Sequence, residues 1–275
     1  MEKVKVIQIG VGGFGQSWLE ILRDFEEVNL VAVVDLVEQN IVKAKETLNG
    51  SSTQFFHDYK EALEKVEADA AVIITPPQTH KKIALEALEA GLYVFMEKPI
   101  TKEFSEAIEL YQESKNFDPF IMISQNYRYR PEIEALKLSI EKGEIGEVEY
   151  GEWDFRRATV FGGWRDQYRE ILIEDMSIHH FDMLRHILGK EVQSIFAKSM
   201  RPSWSWFEGN PVVSATLQMT DNVLVNYFGS WVTRGKETSW NGDIRFVGRK
   251  GILELIDDVP YFTNEDGSRR RLDLP

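Results

Sequence analysis

Residues 4–25 read VKVIQIGVGGFGQSWLEILRDF, and this stretch decides the fold of the chain. A short β-branched run leads directly into a glycine-rich turn, and apolar residues at helical spacing follow the turn. A strand, a GxGxxG turn and a helix, in that order, form the fingerprint of dinucleotide binding. Backbone N–H groups of such a turn and of the helix N-terminus bind a pyrophosphate. The residues predicted to line it are Gly10, Gly12, Gly13, Phe14 and Gly15.

An acidic residue closes the next predicted strand. Residues 30–34 read LVAVV, and Asp35 follows them. A carboxylate at this strand end accepts hydrogen bonds from the ribose hydroxyls of an adenosine, and it repels a 2′-phosphate. The sequence therefore predicts NAD as the cofactor, in preference to NADP.

Composition limits the class of protein further. The chain has 275 residues, 43% of them hydrophobic, a net charge of −13 at pH 7 and no cysteine. The length suits two modest domains, and the negative charge argues against a nucleic-acid partner. Apolar runs are too short for a membrane span, and the N-terminus lacks the apolar region of a signal peptide. Disulfides and thiolate chemistry are excluded, and we expect a cytoplasmic protein.

The pattern of predicted elements divides the chain into two domains. In residues 1–122, continuous apolar strands alternate with helices, which predicts a Rossmann domain with a doubly wound parallel sheet. In residues 123–275, six strands with alternating character lie between residues 148 and 256, and helices are predicted near 132–142 and 175–188. This second pattern predicts an α+β domain with a mostly antiparallel open sheet. The predicted fold class is therefore α/β.

A lysine follows a predicted strand of the first domain. Residues 93–96 read YVFM, and Glu97, Lys98 and Pro99 come next. Ligands bind at the carboxyl ends of the strands in open α/β sheets. We therefore predict that Lys98 polarises a substrate hydroxyl or carbonyl, or helps to move its proton, and that Glu97 lies beside the cofactor. The alternative is a plain exposed lysine.

A second group of titratable residues lies in the predicted helix 175–188. Asp175 and His179 are four residues apart and share one helix face. A carboxylate beside an imidazole fixes its tautomer and raises its basicity, as a general base requires. His180 points about 100° away from His179 on a helix, so the two do not easily share a zinc ion. We predict acid–base chemistry without a metal, with His180 near the substrate.

Together these motifs resemble the glucose-fructose oxidoreductase/inositol dehydrogenase/MocA family. The matching segments are GVGGFG (10–15), Asp35, TPPQTH (75–80), EKP (97–99), QNYRYRP (125–131), DMSIHHFD (175–182) and GRKGIL (248–253). The resemblance implies a Rossmann domain, bound NAD(H) or NADP(H), and hydride transfer to or from a sugar, polyol or related carbon centre. It maps the family's lysine, aspartate and histidine onto Lys98, Asp175 and His179. It also implies a second domain whose open sheet often forms a dimer interface. We therefore expect a homodimer or homotetramer, formed through a sheet face rich in Trp and Phe.

Other site residues are assigned by position on the same resemblance. The residues expected to border the cofactor are Thr75, Pro76, His80 and Asn126. Trp164 and Arg165 resemble the family's substrate-side loop. Arg128 could bind a hydroxylated or anionic substrate, or it could form a buried salt bridge between the domains.

The chain departs from the family pattern at two places. Residues 169–171 read REI, where many relatives have a glycine-rich turn, and this change would reshape the floor of the pocket. The chain ends at Pro275, whereas relatives usually continue with further strands and a helix that returns to the first domain. We therefore expect either that the chain belongs to a short subgroup of the family or that the sequence lacks its C-terminal part.

The predicted reaction is NAD-dependent oxidation of a secondary alcohol in a sugar, a polyol or a derivative, or the reverse reduction. The alternative among enzymes is a lyase or glycosidase in which NAD is reduced and reoxidised within one turnover. The alternative outside the enzymes is a non-catalytic regulator that binds NAD(H). A net change of NAD to NADH when substrate is added distinguishes the dehydrogenase from the lyase or glycosidase. The sequence does not specify the substrate or the direction of the reaction.

Overall fold

The structure is a computed structural model that describes residues 2–275, except for the side chain of Trp164. The chain divides into two compact units, Met1–Ser124 and Gln125–Pro275. Within the described residues, we find no helix that combines the length and the apolar character needed to cross a membrane.

The first unit is built on a parallel six-stranded sheet. Its strands are β1 (Val4–Ile9), β2 (Val28–Val34), β3 (Gln54–Phe56), β4 (Ala70–Ile73), β5 (Tyr93–Met96) and β6 (Ile121–Ile123). Their order in the sheet is β3-β2-β1-β4-β5-β6, and all neighbouring pairs are parallel. This is the Rossmann strand order, which changes direction between β1 and β4 and leaves a crevice at the carboxyl ends of these two strands.

Both faces of the parallel sheet are covered by helices. These are α1 (Phe14–Asp24), α2 (Glu38–Thr47), α3 (Tyr59–Lys65), α4 (His80–Glu89) and α5 (Phe104–Ser114). Successive side chains of β1 point to opposite faces. Val6 packs in one apolar cluster with Leu19 of α1, whereas Ile7 packs in another with Ala84 of α4. The strands therefore read as continuous apolar runs, because neither face meets water.

The second unit contains an eight-stranded open sheet. Its strands are β7 (Val148–Arg156), β8 (Val192–Met200), β9 (Val212–Met219), β10 (Leu224–Ser230), β11 (Asp243–Gly248), β12 (Gly251–Ile256), β13 (Val259–Asn264) and β14 (Arg269–Arg271). Their order is β14-β13-β12-β11-β7-β10-β9-β8, with β7 and β10 parallel and the other neighbours antiparallel. Together the two sheets confirm the predicted fold class.

One face of this sheet packs on helices and forms the core of the second unit. The helices are α6 (Pro131–Glu141) and α7 (Ile178–Leu188). Trp153 and Phe155 of β7 are buried in this core. The alternating residues Asp154 and Arg156 point to the opposite, open face, where they form an ion pair at 2.7 Å. Trp153 therefore fills the core and does not contribute to the expected aromatic open face.

Two strands at the C-terminal end were not predicted. β13 follows a tight turn at Asp257 and Asp258, which have φ angles of 50° and 61°. Aspartate tolerates this left-handed conformation, which two-residue hairpin turns require. β13 contains Pro260, and β14 consists of three arginines, so neither shows the apolar alternation from which strands are predicted.

Candidate functional site

The turn between β1 and α1 requires glycine for steric reasons. Gly10 has a φ of +94°, and a Cβ at this position would lie 2.6 Å from the carbonyl oxygen of Ile74. A Cβ on Gly15 would lie 2.5 Å from the carbonyl oxygen of Gly10. Both neighbours are backbone atoms that cannot move aside cheaply. The turn therefore packs directly on the chain that leaves β4, at the edge of the crevice.

A buried glutamine holds this turn from below. Gln8 is fully buried within β1. Its amide nitrogen donates hydrogen bonds to the carbonyl oxygens of Gly10 at 3.0 Å and Gly15 at 2.8 Å. Sequence reasoning missed this residue. The available signal is an uncharged polar side chain among the apolar residues directly before the glycine motif, since a buried polar group needs partners.

Asp35 joins the end of β2 to the glycine turn. One carboxylate oxygen accepts a hydrogen bond from the N–H of Val11 at 2.9 Å. The other accepts from the N–H of Val37 at 2.9 Å and from the amide of Asn40 at 3.1 Å. A Cβ on Gly12 would lie 2.8 Å from the same Asn40 amide. The carboxylate thus lies at the predicted ribose position and also anchors the turn.

The N-terminus of α1 offers donors without a competing side chain. Gly13 is its N-cap residue, with a φ of 48°, and it has no side chain that could cap the helix. The first turn of α1 holds no acidic residue. A Cβ on Gly13 would have no heavy atom within 4 Å. Phe14 begins the helix and is largely exposed. An open helix N-terminus beside a glycine turn and an acidic strand end fits a dinucleotide pyrophosphate and ribose.

His80 joins the loops that follow β4 and β5. Its ring nitrogens lie 2.8 Å from the carbonyl oxygen of Thr75 and 2.9 Å from that of Pro99. Its side chain is fully buried, and burial lowers its pKa. Thr75 is half-buried and Pro76 is exposed on the same loop. The buried ring therefore acts as a structural link between the two loops, and the assignment of His80 to the border of the cofactor stays a prediction.

Glu97 holds the turn that carries Lys98. One of its carboxylate oxygens accepts a hydrogen bond from the indole N–H of Trp18 at 2.9 Å, and the other accepts from the backbone N–H of Lys98 at 3.0 Å. The Glu97 side chain is buried, whereas Lys98 is half-buried. The acidic residue therefore fixes the backbone at the carboxyl end of β5, where the lysine was predicted to act.

The predicted acid–base pair lies in the second unit, at the start of α7. Asp175 is in a π-helical turn, Ile173–Ser177, and His179 is in the first turn of α7. The α-helical spacing expected for the pair is therefore replaced by a π-helical turn at Asp175, a feature that is frequent at functional sites. Nε of Arg165 lies 3.5 Å from Oδ1 of Asp175. The structure thus brings together two of the predicted residues from different segments.

Tyr168 is a half-buried residue of the segment that also contains Arg165 and Asp175. Burial, reinforced by the charge of Asp175, raises the pKa of Tyr168 to about 12. Asn126, predicted near the nicotinamide, is exposed at the start of the short helix Asn126–Tyr129. The side chain of Trp164, predicted at the substrate, lies outside the described residues. Tyr168 was missed by sequence reasoning, because nothing in the pattern distinguishes it from a core tyrosine.

His180 is a core residue, which corrects its assignment to the substrate. It is fully buried, and burial lowers its pKa to about 3. Nδ1 lies 2.9 Å from the hydroxyl of Tyr227, and Nε2 lies 3.2 Å from the carbonyl oxygen of Trp240. The hydroxyl of Ser177 lies 2.8 Å from the same Tyr227 hydroxyl. A neutral imidazole that accepts from Tyr227 and donates to Trp240 satisfies both ring nitrogens.

Arg128 is engaged within the second unit. It forms a bidentate ion pair with Asp182 of α7, with Nε 2.8 Å from Oδ2 and Nη2 hydrogen-bonded to Oδ1. Both partners belong to residues 125–275, so the expected inter-domain salt bridge is wrong. Asp182 occupies the Nε and Nη2 edge of the guanidinium, and a substrate contact of Arg128 stays a prediction. Among the described residues, we find no group of three or more His, Asp or Glu side chains placed to hold a metal ion.

We predict that acid destabilises the protein through its buried histidines. Burial depresses the folded-state pKa of both His80 and His180, so folding favours their neutral forms. The stabilisation is complete above the unfolded-state pKa near 6.5 and is lost as the pH falls below it, for His180 until about pH 3. His180 alone should cost about 2 kcal/mol of the free energy of unfolding between about pH 7 and pH 5.

Urea denaturation at several pH values measures this effect. His180→Gln removes one titrating group, so its free energy of unfolding should be lower at neutral pH but should fall less steeply with acid. His57→Gln is the matched control, since His57 is an exposed histidine that pairs with Glu38. A wild-type stability that is flat down to about pH 5 would contradict the account of these buried rings.

The geometry defines a dinucleotide-binding Rossmann protein with a second domain of the α+β class. The family model described as "Oxidoreductase family, NAD-binding Rossmann fold" matches residues 4–122, and the GFO/IDH/MocA C-terminal domain matches residues 133–254. The chain belongs to the GFO/IDH/MocA oxidoreductase family, which confirms the resemblance seen in its motifs. NAD is the cofactor that the family description gives for the first unit.

Individual relatives are distant and longer than this chain. The chain is 28% identical over 197 residues to myo-inositol 2-dehydrogenase of Thermotoga maritima, covering 69% of this chain and 56% of that protein. It is 24% identical over 280 residues to D-apiose dehydrogenase of Paraburkholderia graminis, covering 100% of this chain and 74% of that protein. An oxidoreductase from Agrobacterium radiobacter, solved with NAD+, L-tartaric acid and magnesium, superposes with a TM-score of 0.90 at 24% identity, covering 98% of this chain and 79% of that one. The last similarity shows the shared fold.

Proposed function

We propose that the protein is an NAD-dependent dehydrogenase that interconverts a secondary alcohol and a carbonyl in a sugar, a polyol or a derivative. The observation that carries the proposal is the π-helical turn before α7, which places Asp175 one turn ahead of the buried His179 in an oxidoreductase of this family. The names of the inositol and apiose dehydrogenases among its relatives support the substrate class.

The proposed roles follow from the chemistry of each side chain. Asp35 and the glycine turn bind the adenosine ribose and the pyrophosphate. NAD, when bound, supplies the hydride acceptor. His179 takes the proton of the substrate hydroxyl, and Asp175 orients its imidazole. Lys98 stabilises the negative charge that develops on the same oxygen.

The test is a panel of sugars, polyols and their acids, incubated with NAD at neutral and alkaline pH. Formation of NADH in the same amount as a ketone supports a dehydrogenase. A changed product without net NADH indicates the lyase or glycosidase alternative. NAD binding without turnover of the panel indicates the non-catalytic regulator.

Cofactor choice gives a second prediction. NAD should bind more tightly than NADP, because a 2′-phosphate would meet the carboxylate of Asp35 and the neighbouring Leu36 offers it no cation. Asp35→Asn should narrow the difference between the affinities for NAD and NADP. The amide oxygen of the asparagine can still accept a hydrogen bond from the N–H of Val11. Asp35→Ser should also weaken NAD itself, because the turn loses that anchor. Titration calorimetry measures both affinities, and equal values for NAD and NADP in the wild type would contradict this assignment.

We also propose a homodimer or homotetramer formed through the open face of the second sheet. Tyr150 and Leu224 are paired neighbours on that face, and both are largely exposed, as is Phe196 of the edge strand. Glu152 and Arg245 lie between such apolar residues, so the face is mixed in character. Light scattering at micromolar concentration should give a multimer, and Leu224→Arg should shift it towards the monomer. A monomeric wild type counts against the proposal.

The cytoplasmic location and the lack of a nucleic-acid partner stay predictions from composition.

A further inference from the structure

Tyr127 contacts the proposed general base on one side and a cation on the other. Its ring stacks on the imidazole of His179, with centroids 4.2 Å apart and planes inclined by 16°. The guanidinium carbon of Arg130 lies 3.7 Å from the centroid of the same ring. Two planar groups this close to one ring have room only on opposite faces. The three side chains therefore form a stack with the tyrosine in the middle.

The outer end of this stack is anchored in the core of the second unit. Nη1 of Arg130 donates a hydrogen bond to the side-chain oxygen of Asn241 at 3.0 Å. Asn241 is fully buried, and its amide nitrogen donates to Glu132 at 2.6 Å and to Asp258 at 2.8 Å. Its backbone carbonyl accepts from the indole of Trp153 at 3.0 Å. A guanidinium held by such a network gives the tyrosine ring a fixed backing.

We propose that Tyr127 is a positioning residue that fixes the plane of the His179 imidazole, with Arg130 as its support. The inference rests on the proposed function, in which His179 receives the substrate proton. The terminal torsion of a histidine has a broad energy profile, so the ring needs an external contact to hold one orientation. Proton transfer depends on that orientation, because the acceptor nitrogen must lie within hydrogen-bond reach of the hydroxyl.

The phenol of Tyr127 has no need to titrate in this role. Burial raises its pKa above the usual value, so its ring stays neutral at physiological pH. The stacking area belongs to the ring and not to the hydroxyl. Phenylalanine should therefore replace Tyr127 in the stack, whereas leucine should not. This contrast separates positioning from a chemical role of the hydroxyl.

NMR of the histidine ring protons tests the stack in the intact protein. Protons over an aromatic face are shielded, so the His179 signals, assigned by their loss in His179→Ala, should lie upfield of those of the exposed His57. They should stay upfield in Tyr127→Phe and move downfield in Tyr127→Leu. Arg130→Met, which keeps the ring but removes its support, should give a smaller downfield movement. Tyr129→Leu is the matched control, because the Tyr129 ring meets His186 edge-on at 6.3 Å.

Kinetics with the best substrate then test the consequence. Tyr127→Leu should lower kcat by about 10- to 100-fold, the scale of a misplaced catalytic group, with little change in the KM for NAD. Tyr127→Phe should restore kcat to within about threefold of the wild type, and Tyr129→Leu should leave it unchanged. If Tyr127→Phe keeps its kcat, the lower kcat of Tyr127→Leu reflects the loss of the aromatic ring and not of the tyrosine hydroxyl.

Two results would overturn the proposal. His179 signals without an upfield position in the wild type, or unmoved in folded Tyr127→Leu, would show that no such stack orients the ring. A displaced His179 signal with an unchanged kcat would show that the stack does not serve catalysis. If no substrate of the proposed class is turned over, the proposed function fails, while the NMR result still decides whether Tyr127 holds the ring.

Discussion

His179→Ala is expected to lower turnover by about a hundredfold or more on the best substrate, the usual scale for losing a general base. The imidazole is only 5% exposed and lies in the first turn of α7, so water does not easily take its place as the proton acceptor. NAD affinity should stay within a few-fold of the wild type, because the predicted pyrophosphate and ribose contacts belong to the first unit. Steady-state kinetics and titration calorimetry give the two quantities.

His186→Gln provides the control for this variant. His186 lies on the same helix, and it pairs with Glu134 at 2.5 Å outside the Asp175 segment. Its replacement should leave kcat unchanged. Asp175→Asn should lower kcat through His179, since the amide keeps the size of the side chain but loses the charge that we propose orients the ring. Near-native turnover in His179→Ala would show that another group is the base, and the burial of His180 makes that residue a poor substitute.

Lys98→Met is expected to reduce turnover by a similar factor of about a hundred. Methionine fills much the same volume but cannot stabilise the charge that develops on the substrate oxygen. The turn should survive, because Glu97 holds it through the backbone N–H of Lys98 and the indole of Trp18, and neither contact uses the lysine side chain.

The matched control is Lys102→Met, an exposed lysine four residues further along the same connection. It should leave kcat and the affinity for NAD unchanged. If Lys98→Met and Lys102→Met have equally small effects, the lysine at the end of β5 does not take part in the reaction. If Lys98→Met instead raises only the KM for the substrate, Lys98 binds the substrate and the transition state equally well and does not accelerate the chemical step.

The Rossmann unit could be predicted from sequence because its signals are local. The glycine turn, the acidic residue after β2 and the continuous apolar strands each reflect a steric or solvation requirement within a few residues of the chain. The tight turn at Gly10, with a φ of +94°, is such a local requirement, and the motif predicts it. The strands β13 and β14 were missed because proline and arginine obscure their alternation.

The site residues were harder to predict, because their partners come from distant segments. The burial of His180 depends on Tyr227 and Trp240, and the engagement of Arg128 depends on Asp182, more than 50 positions along the chain. The π-helical turn at Asp175 also has no recognised sequence signature, so an α-helical spacing was the natural expectation. A motif identifies residue types at a site, whereas only packing decides which of them face a ligand.

The most direct test of the proposed function is a stoichiometric comparison of product and cofactor. The protein is incubated with excess NAD and each member of the sugar and polyol panel, and NADH absorbance is compared with the carbonyl product measured by mass spectrometry. A dehydrogenase predicts equal amounts of ketone and NADH for at least one substrate, and both should form about a hundredfold more slowly in His179→Ala. Product formed by elimination or glycosidic cleavage without net NADH, or no turnover of the whole panel by protein that binds NAD, would contradict the account.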